Sequence, residues 1–142
     1  MENKINIMNK ILVGIDGSEG SNLALEKAIS LISENGIIYL TAVVPSPNKK
    51  LFIDKNIYNR IRKKAQQLIA DIKNEISFIN NDVIDIIEEG DAAEKIIDVA
   101  AKLDVDLIVL GCRGANKIGV YPIGSVANKV VQYAAKPVMV VR

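Results

Sequence analysis

Five short apolar runs alternate along this chain with longer segments whose apolar residues recur every three or four positions. The runs cover residues 10–15, 37–44, 83–87, 105–110 and 138–141. A short continuous apolar run is typical of a strand buried on both faces, whereas the wider spacing is typical of an amphipathic helix. Strands that alternate with helices favour a parallel sheet with right-handed crossovers and helices on both faces. The sequence therefore predicts an α/β protein with an open, five-stranded parallel sheet.

Capping and breaking residues predict where the four helices lie. Ser18 is expected to cap the first helix, and Asp91, with Glu94 three residues later, the third. The second helix is the clearest, with one apolar stripe from Ile57 to Ile79. Val126, Val130, Val131 and Ala134 pattern the last helix, which Lys136-Pro137 ends. The charge within the run 83–87 predicts that this strand lies at a sheet edge.

Length and composition exclude several classes of protein. The 142 residues fit one domain, and a single Cys with no His leaves no internal disulfide, zinc finger or Ser-His-Asp triad. No apolar run approaches the roughly 20 residues that cross a bilayer, and no signal-peptide core follows Met1. The net charge of +1 implies no general affinity for nucleic acid. We therefore expect a cytoplasmic protein without a membrane or nucleic-acid partner.

A glycine pattern follows the fourth apolar run and precedes the last helix. It reads Gly-x2-Gly-x9-Gly-Ser and comprises Gly111, Gly114, Gly124 and Ser125. Glycines in a strand-to-helix loop, with the free N–H groups of a helix start beside them, can cradle a phosphate. The spacing matches neither the P-loop nor the dinucleotide fingerprint. On spacing alone, turn and cap residues explain the glycines equally well.

The expected topology places a second candidate residue opposite these glycines. If the least interrupted strands, the first and the fourth, are central neighbours, the chain reverses direction between them and a crevice opens at their carboxyl ends. Asp16 and Gly111 both lie at those ends. Asp16 could contact a ligand there, or could form an Asx turn with the backbone that follows it.

Taken together, these motifs resemble those of the universal stress protein family, over nearly the whole chain. The resemblance rests on Asp-Gly-Ser after the first strand, Val-Val-Pro at the end of the second, and Gly-Asp before the third helix. It also rests on Val-Asp-Leu-Ile-Val-Leu-Gly, the long glycine pattern, and the closing Pro-Val-Met-Val-Val. The glycine spacing is that of the ATP-binding subclass. The resemblance implies one universal stress protein domain over residues 1–142, with the sheet order 3-2-1-4-5 and ATP across the ends of strands one and four.

The resemblance also implies roles for individual residues. Asp16 would accept hydrogen bonds from the ribose hydroxyls, and the backbone of Val43 would read the adenine edge. The remaining contacts, to ribose, phosphates and an associated Mg²⁺ or Mn²⁺, would come from Gly111, Arg113, Gly114, Gly124, Ser125 and Val126. Ser125 could equally be a simple N-cap, and Arg113 could simply face solvent.

The chain departs from the family pattern at three places, all within or next to the residues expected to bind ATP. Cys112 stands where a hydroxyl residue is more usual, and Ala42 replaces a His that commonly precedes the adenine-reading valine. Gly119 and Pro122 make the nine-residue spacer unusual, which bears on how the segment 117–122 closes over phosphates.

The leading functional hypothesis is an ATP-binding regulatory protein that passes its nucleotide state to signalling partners during stress. No residue pattern supplies an efficient hydrolysis apparatus, although slow or partner-stimulated hydrolysis stays open. The alternative is a dimeric interaction module of the same fold that binds no nucleotide. An ATP pyrophosphatase or nucleotidyltransferase would need other residues after the first strand than Asp16-Gly17-Ser18. The apolar strand Val138–Val141 carries no charge, so we expect it to pair with its copy in a homodimer.

Overall fold

The computed structural model describes residues 8–47, 54–112 and 123–142, which form five strands alternating with four helices. The strands are β1 (Lys10–Gly14), β2 (Ile37–Val44), β3 (Asp82–Glu89), β4 (Leu107–Gly111) and β5 (Val138–Val141). The helices are α1 (Glu19–Leu31), α2 (Lys55–Glu75), α3 (Ala92–Leu103) and α4 (Ser125–Tyr133). Within these ranges no helix combines the length and the apolar character that a membrane span requires.

The five strands form one parallel sheet in the order β3-β2-β1-β4-β5. This order confirms the α/β fold and the sheet order that the family resemblance implied. β1 and β4 are central neighbours, joined in register from Ile11↔Leu107 to Val13↔Val109. β3 lies at one edge, as its embedded charge predicted, and β5 lies at the other. The chain therefore leaves β1 toward β2 and returns on its other side, which opens a crevice at the carboxyl ends of β1 and β4.

Each face of the sheet carries its own buried core. On one face α1 and α2 pack on residues such as Ile11, Val13 and Ile38. On the other face α3 and α4 pack on residues such as Leu12 and Ile108. Successive side chains of a strand point to opposite faces, so the continuous apolar runs fill both cores.

Three predicted boundaries differ from the observed ones. β4 begins at Leu107 rather than Val105, because the Val105 N–H donates to the Ala100 carbonyl at 3.1 Å and so completes the end of α3. α2 ends at Glu75, before the last residue of its apolar stripe, because tight turns follow in which the Ile79 N–H donates to Ile76 O at 3.1 Å. α4 ends at Tyr133, before the end that Lys136-Pro137 predicted.

Two residues of the predicted apolar stripes are also less buried than their pattern indicated. Ile57, at the start of α2, is 48% exposed, and Val131, on α4, is 49% exposed. The rest of the α4 pattern holds, since Val130 is fully buried and Val126 and Ala134 pack against the same core.

Candidate functional site

A pocket lies at the carboxyl ends of β1 and β4, where the topology predicted a crevice. Its lining includes five of the predicted site residues: Asp16, Val43, Gly111, Gly124 and Val126. The remaining lining residues were not predicted as site residues: Gly14, Ile15, Ser18, Ser21, Thr41, Ala92, Ile96, Leu110 and Ala127. The pocket thus joins the ends of the central strands to the first turns of three helices.

Asp16 and the start of α1 form one wall of this pocket. The Asp16 Oδ1 accepts the Ser18 N–H at 2.9 Å, which is the Asx turn considered for this residue. Ser18 caps α1 as predicted, accepting the Ser21 N–H at 3.1 Å. Asp16 remains exposed and lines the pocket. The turn orients the Asp16 carboxylate at the pocket wall, so a structural role and ligand contact are compatible in this residue.

The starts of α3 and α4 form the opposite wall. Asp91 caps α3 by accepting the Glu94 N–H at 3.0 Å, and Ala92, the first residue of that helix, lines the pocket. α4 is capped by Gly124, which has no side-chain acceptor to offer. The proposal that Ser125 is an N-cap is wrong, because Ser125 is the first residue of the helix and is exposed. Ser125 is also not among the residues that line the pocket.

The glycine cap distinguishes α4 from the other three helices that the structure describes. The caps of α1, α2 and α3 are Ser18, Asp54 and Asp91, and each accepts a backbone N–H from its own first turn. Because Gly124 cannot do so, the first N–H groups of α4 receive no acceptor from their cap residue. Those N–H groups and the positive end of the helix dipole favour an anion at the pocket.

Val43 presents backbone rather than a polar side chain. The Thr41 carbonyl accepts the Ile15 N–H at 2.8 Å, whereas the Val44 carbonyl accepts the Gly90 N–H at 2.9 Å. Because neighbouring residues of a strand direct their backbone groups to opposite sides, Val43 directs its N–H and C=O to the same side as Thr41. β1 has already ended on that side, so these groups face the pocket end of the sheet.

Gly111 has a different neighbour from the ligand expected for it. A Cβ atom on Gly111 would lie 2.3 Å from the Gly20 carbonyl carbon, and one on Gly20 would lie 2.9 Å from the Cys112 carbonyl oxygen. The end of β4 therefore packs directly on the first turn of α1, and glycine is required there for the fold itself. No sequence motif indicated this contact for Gly20.

An ion-pair bridge joins the two helices of the opposite wall. The Lys129 Nζ lies 3.2 Å from the Asp91 Oδ2 and 3.4 Å from the Glu94 Oε1. The Glu94 backbone N–H, followed by the Lys129 ammonium, lowers the pKa of Asp91 below its ordinary value. Hydrogen bonding to Asp91 raises the pKa of Lys129. The bridge ties the starts of α3 and α4 together beside the pocket.

Two predicted site residues, Arg113 and Gly114, lie outside the described residues, as does the segment 117–122. Cys112 is described: it is partly buried and its N–H donates to the Val141 carbonyl at 2.7 Å.

Among the pocket residues that sequence reasoning missed, Thr41 and Ser21 are the polar ones with buried side chains. Strand register would have found Thr41, two residues before Val43, once the β1–β2 pairing was known.

The model of the universal stress protein family matches residues 8–142. Universal stress protein YxiE of Bacillus subtilis is 32% identical over 151 residues, which cover 96% of this chain and all of the relative. The solved structure of protein MJ0577, a universal stress protein of Methanocaldococcus jannaschii, has a TM-score of 0.82 and 28% identity, and the match covers 94% of this chain and 95% of that one.

Two more distant solved structures share the fold and contain nucleotides. One is a universal stress protein in complex with cAMP, with a TM-score of 0.73 and 19% identity over 94% of this chain and 97% of that one. The other is a family protein of Arabidopsis thaliana with AMP bound, with a TM-score of 0.67 and 19% identity over 94% of this chain and 90% of that one.

Proposed function

Because this chain belongs to the universal stress protein family, we propose that it binds ATP in the pocket at the ends of β1 and β4 and passes its nucleotide state to signalling partners. Some proteins of the same fold bind adenine nucleotides, as their complexes with cAMP and AMP indicate. The single observation that carries the proposal is the glycine cap of α4, which leaves the first N–H groups of that helix to an anion at the pocket.

The pocket has a suitable group for each part of the nucleotide. Asp16 accepts from the ribose hydroxyls, and the Val43 backbone meets the adenine edge. The start of α4, with Gly124, Ser125 and Val126, receives the outer phosphates. The proposal also places Gly111 beside the ribose and Arg113 and Gly114 along the phosphates. A Mg²⁺ or Mn²⁺ ion would be held mainly by the phosphates, with the Ser125 hydroxyl beside the ion.

The proposed role is to hold nucleotide rather than to turn it over rapidly. The chain contains no His, and no Lys stands in the P-loop position that would clamp a γ-phosphate. A protein that keeps ATP bound can report nucleotide supply through the surface around the site.

The first experiment identifies the ligand directly. The protein is purified without added nucleotide and denatured, and the released small molecules are separated by chromatography. We expect ATP or ADP, and we expect calorimetry on the emptied protein to show ATP binding in the presence of Mg²⁺. An empty protein that fails to bind ATP would support the alternative, a dimeric interaction module of the same fold.

A substitution at the α4 cap tests the site. Gly124 has φ −60° and ψ 157°, values that any residue can adopt, so Gly124→Val adds bulk to the pocket without backbone strain. We expect ATP affinity to fall about tenfold to a hundredfold, the range for losing one charge-assisted hydrogen bond. Ala135→Val, which adds the same kind of bulk at an exposed position outside the pocket, is the matched control. Unchanged affinity in Gly124→Val would refute the phosphate assignment.

The proposal includes a homodimer that forms through β5. The Ile108 N–H donates to Pro137 O and the Cys112 N–H donates to Val141 O, so the odd-numbered residues of this segment bond to β4. Val138 and Val140 consequently direct their backbone N–H and C=O groups outward from the sheet edge. Val131 lies about 200° around α4 from Lys129, which faces α3, and so adds an exposed apolar side chain on the β5 side of the helix.

A further inference from the structure

Thr41 places a buried hydroxyl in the otherwise apolar floor of the pocket. The side chains of Tyr39 and Leu12 lie in the core beneath α3 and α4, and Thr41 and Gly14 follow them by two residues on the same strands. Thr41 and Gly14 are also register partners across β1 and β2. Because side chains two residues apart share a face, the Thr41 side chain points to the α3 and α4 side, where the pocket lies.

The neighbours of Thr41 on this floor are hydrocarbon. Ile96, Leu110 and Ala127 line the same pocket and are buried in the same core. Thr41 itself is only 1% exposed. A buried hydroxyl lowers the stability of a fold unless it forms a good hydrogen bond, and valine would fill nearly the same volume without that penalty.

The hydrogen bond that Thr41 forms within the protein is poor. Its Oγ1 donates to the Tyr39 carbonyl of its own strand at 3.4 Å, well beyond the usual 2.7–2.8 Å of a hydroxyl-to-oxygen bond. This contact leaves the hydroxyl with most of its hydrogen-bonding capacity unused, at a position that lines the pocket. A ligand group that donates to or accepts from the hydroxyl would satisfy it.

We propose that the Thr41 hydroxyl is a specificity contact that hydrogen-bonds the nucleoside part of the bound nucleotide. This inference rests on the proposed function and names a residue that determines the strength and selectivity of that same site. Thr41 lies on β2 two residues before Val43, whereas the phosphates are assigned to the start of α4. The contact is therefore with the base or the sugar and does not depend on the number of phosphates.

The test is Thr41→Val, which replaces the hydroxyl by a methyl group of similar size, with Thr41→Ser as the control that keeps the hydroxyl. Affinities for adenosine, AMP and ATP with Mg²⁺ are measured by calorimetry, using competition for the weaker ligands, and stability is measured by thermal unfolding without ligand. We expect Thr41→Val to weaken all three ligands by the same factor, about three- to tenfold, as the loss of one neutral hydrogen bond requires. Its unfolding midpoint should equal or exceed that of the wild type, and Thr41→Ser should bind within about twofold of it.

Three results would overturn the inference: unchanged affinity in Thr41→Val, a loss confined to ATP, or a weaker binding that accompanies a lower unfolding midpoint. The last would assign the hydroxyl a structural role. Failure of the wild-type protein to bind any of the three ligands is a separate result, because it would remove the proposed function itself.

Discussion

Gly111 and Gly124 belong to one glycine pattern in the sequence, but they have different neighbours in the structure. Gly111 packs on the backbone of Gly20, so a side chain there collides with the main chain of α1. Gly124 lines the pocket and caps α4 with ordinary backbone angles. A loss of binding after substitution at Gly111 would therefore mix a folding defect with a binding defect, whereas a substitution at Gly124 separates them.

We expect Gly111→Ala to lower the free energy of unfolding by about 2–3 kcal/mol, because overpacking against backbone forces a main-chain shift. Denaturant unfolding of the ligand-free protein measures this change. Gly124→Ala, which adds the same methyl group at a cap position, should lose less than about 1 kcal/mol. Equal stability of Gly111→Ala and wild type would show that the contact with Gly20 is not restrictive.

The sequence predicted a site residue only where that residue directly follows a recognisable strand, directly precedes a recognisable helix, or matches a family motif. Asp16 and Gly124 follow or precede a recognisable strand or helix, and Val43 follows from the family resemblance. Thr41 and Gly20 were missed because their importance arises from strand register and from helix-to-strand packing, which no local pattern contains.

At the scale of elements, the bridge from Lys129 to the α3 cap links two helices whose first turns line the same pocket. The pKa of Asp91 is lower in the folded protein than its ordinary value near 3.8, because the Glu94 N–H and then Lys129 stabilise the carboxylate. A depressed carboxyl pKa stabilises the fold above the ordinary value. That contribution is lost as the pH falls through the lowered pKa.

We expect Asp91→Asn to be less stable than wild type at pH 7, and the difference to shrink as the pH falls below the ordinary carboxyl value of 3.8 and through the lowered pKa of Asp91. Asparagine keeps the cap acceptor, so the comparison isolates the charge. Denaturant unfolding at several pH values gives the measurement. Asp98→Asn, at an exposed position of α3 that forms no ion pair in the described part of the chain, is the control and should show no comparable pH-dependent difference. A constant difference between Asp91→Asn and wild type from pH 7 to pH 3 would contradict the charge argument.

Element boundaries were less predictable than element identities, for local reasons. Val105 continues the apolar run of β4, yet its N–H completes the end of α3. Val131 fits the apolar pattern of α4, but it faces away from the core beside an edge strand. In both cases the residue fits the hydrophobic pattern, but the neighbouring element determines its secondary structure or its burial.

At the scale of the whole molecule, the strand order depends on long-range pairing that periodicity does not encode. The charge within the run 83–87 and the uninterrupted runs of β1 and β4 predicted edge and centre positions correctly. The full order came only from the family resemblance, and the four strand pairings, β3 with β2, β2 with β1, β1 with β4 and β4 with β5, confirm it.

The exposed edge of β5 leads to a prediction about assembly. Val140→Pro removes an N–H that points away from β4, so it should leave the β4–β5 pairing intact and prevent pairing with a second copy. We expect the wild type to sediment as a dimer at micromolar concentration and Val140→Pro to sediment as a folded monomer. Val140→Ala, which shortens the side chain but keeps the N–H, should remain dimeric. A monomeric wild type would contradict the proposed interface.

The contact between Gly20 and Gly111 also bears on which glycine of the pattern is informative about ligand binding. A side chain on Gly111 would collide with the main chain of Gly20, and a side chain on Gly20 would collide with the carbonyl oxygen of Cys112. A substitution at either position is therefore expected to require a shift of the main chain, whether or not a ligand binds. Packing alone explains the first glycine of the pattern, so the cap glycine of α4 is the more informative position for ligand binding.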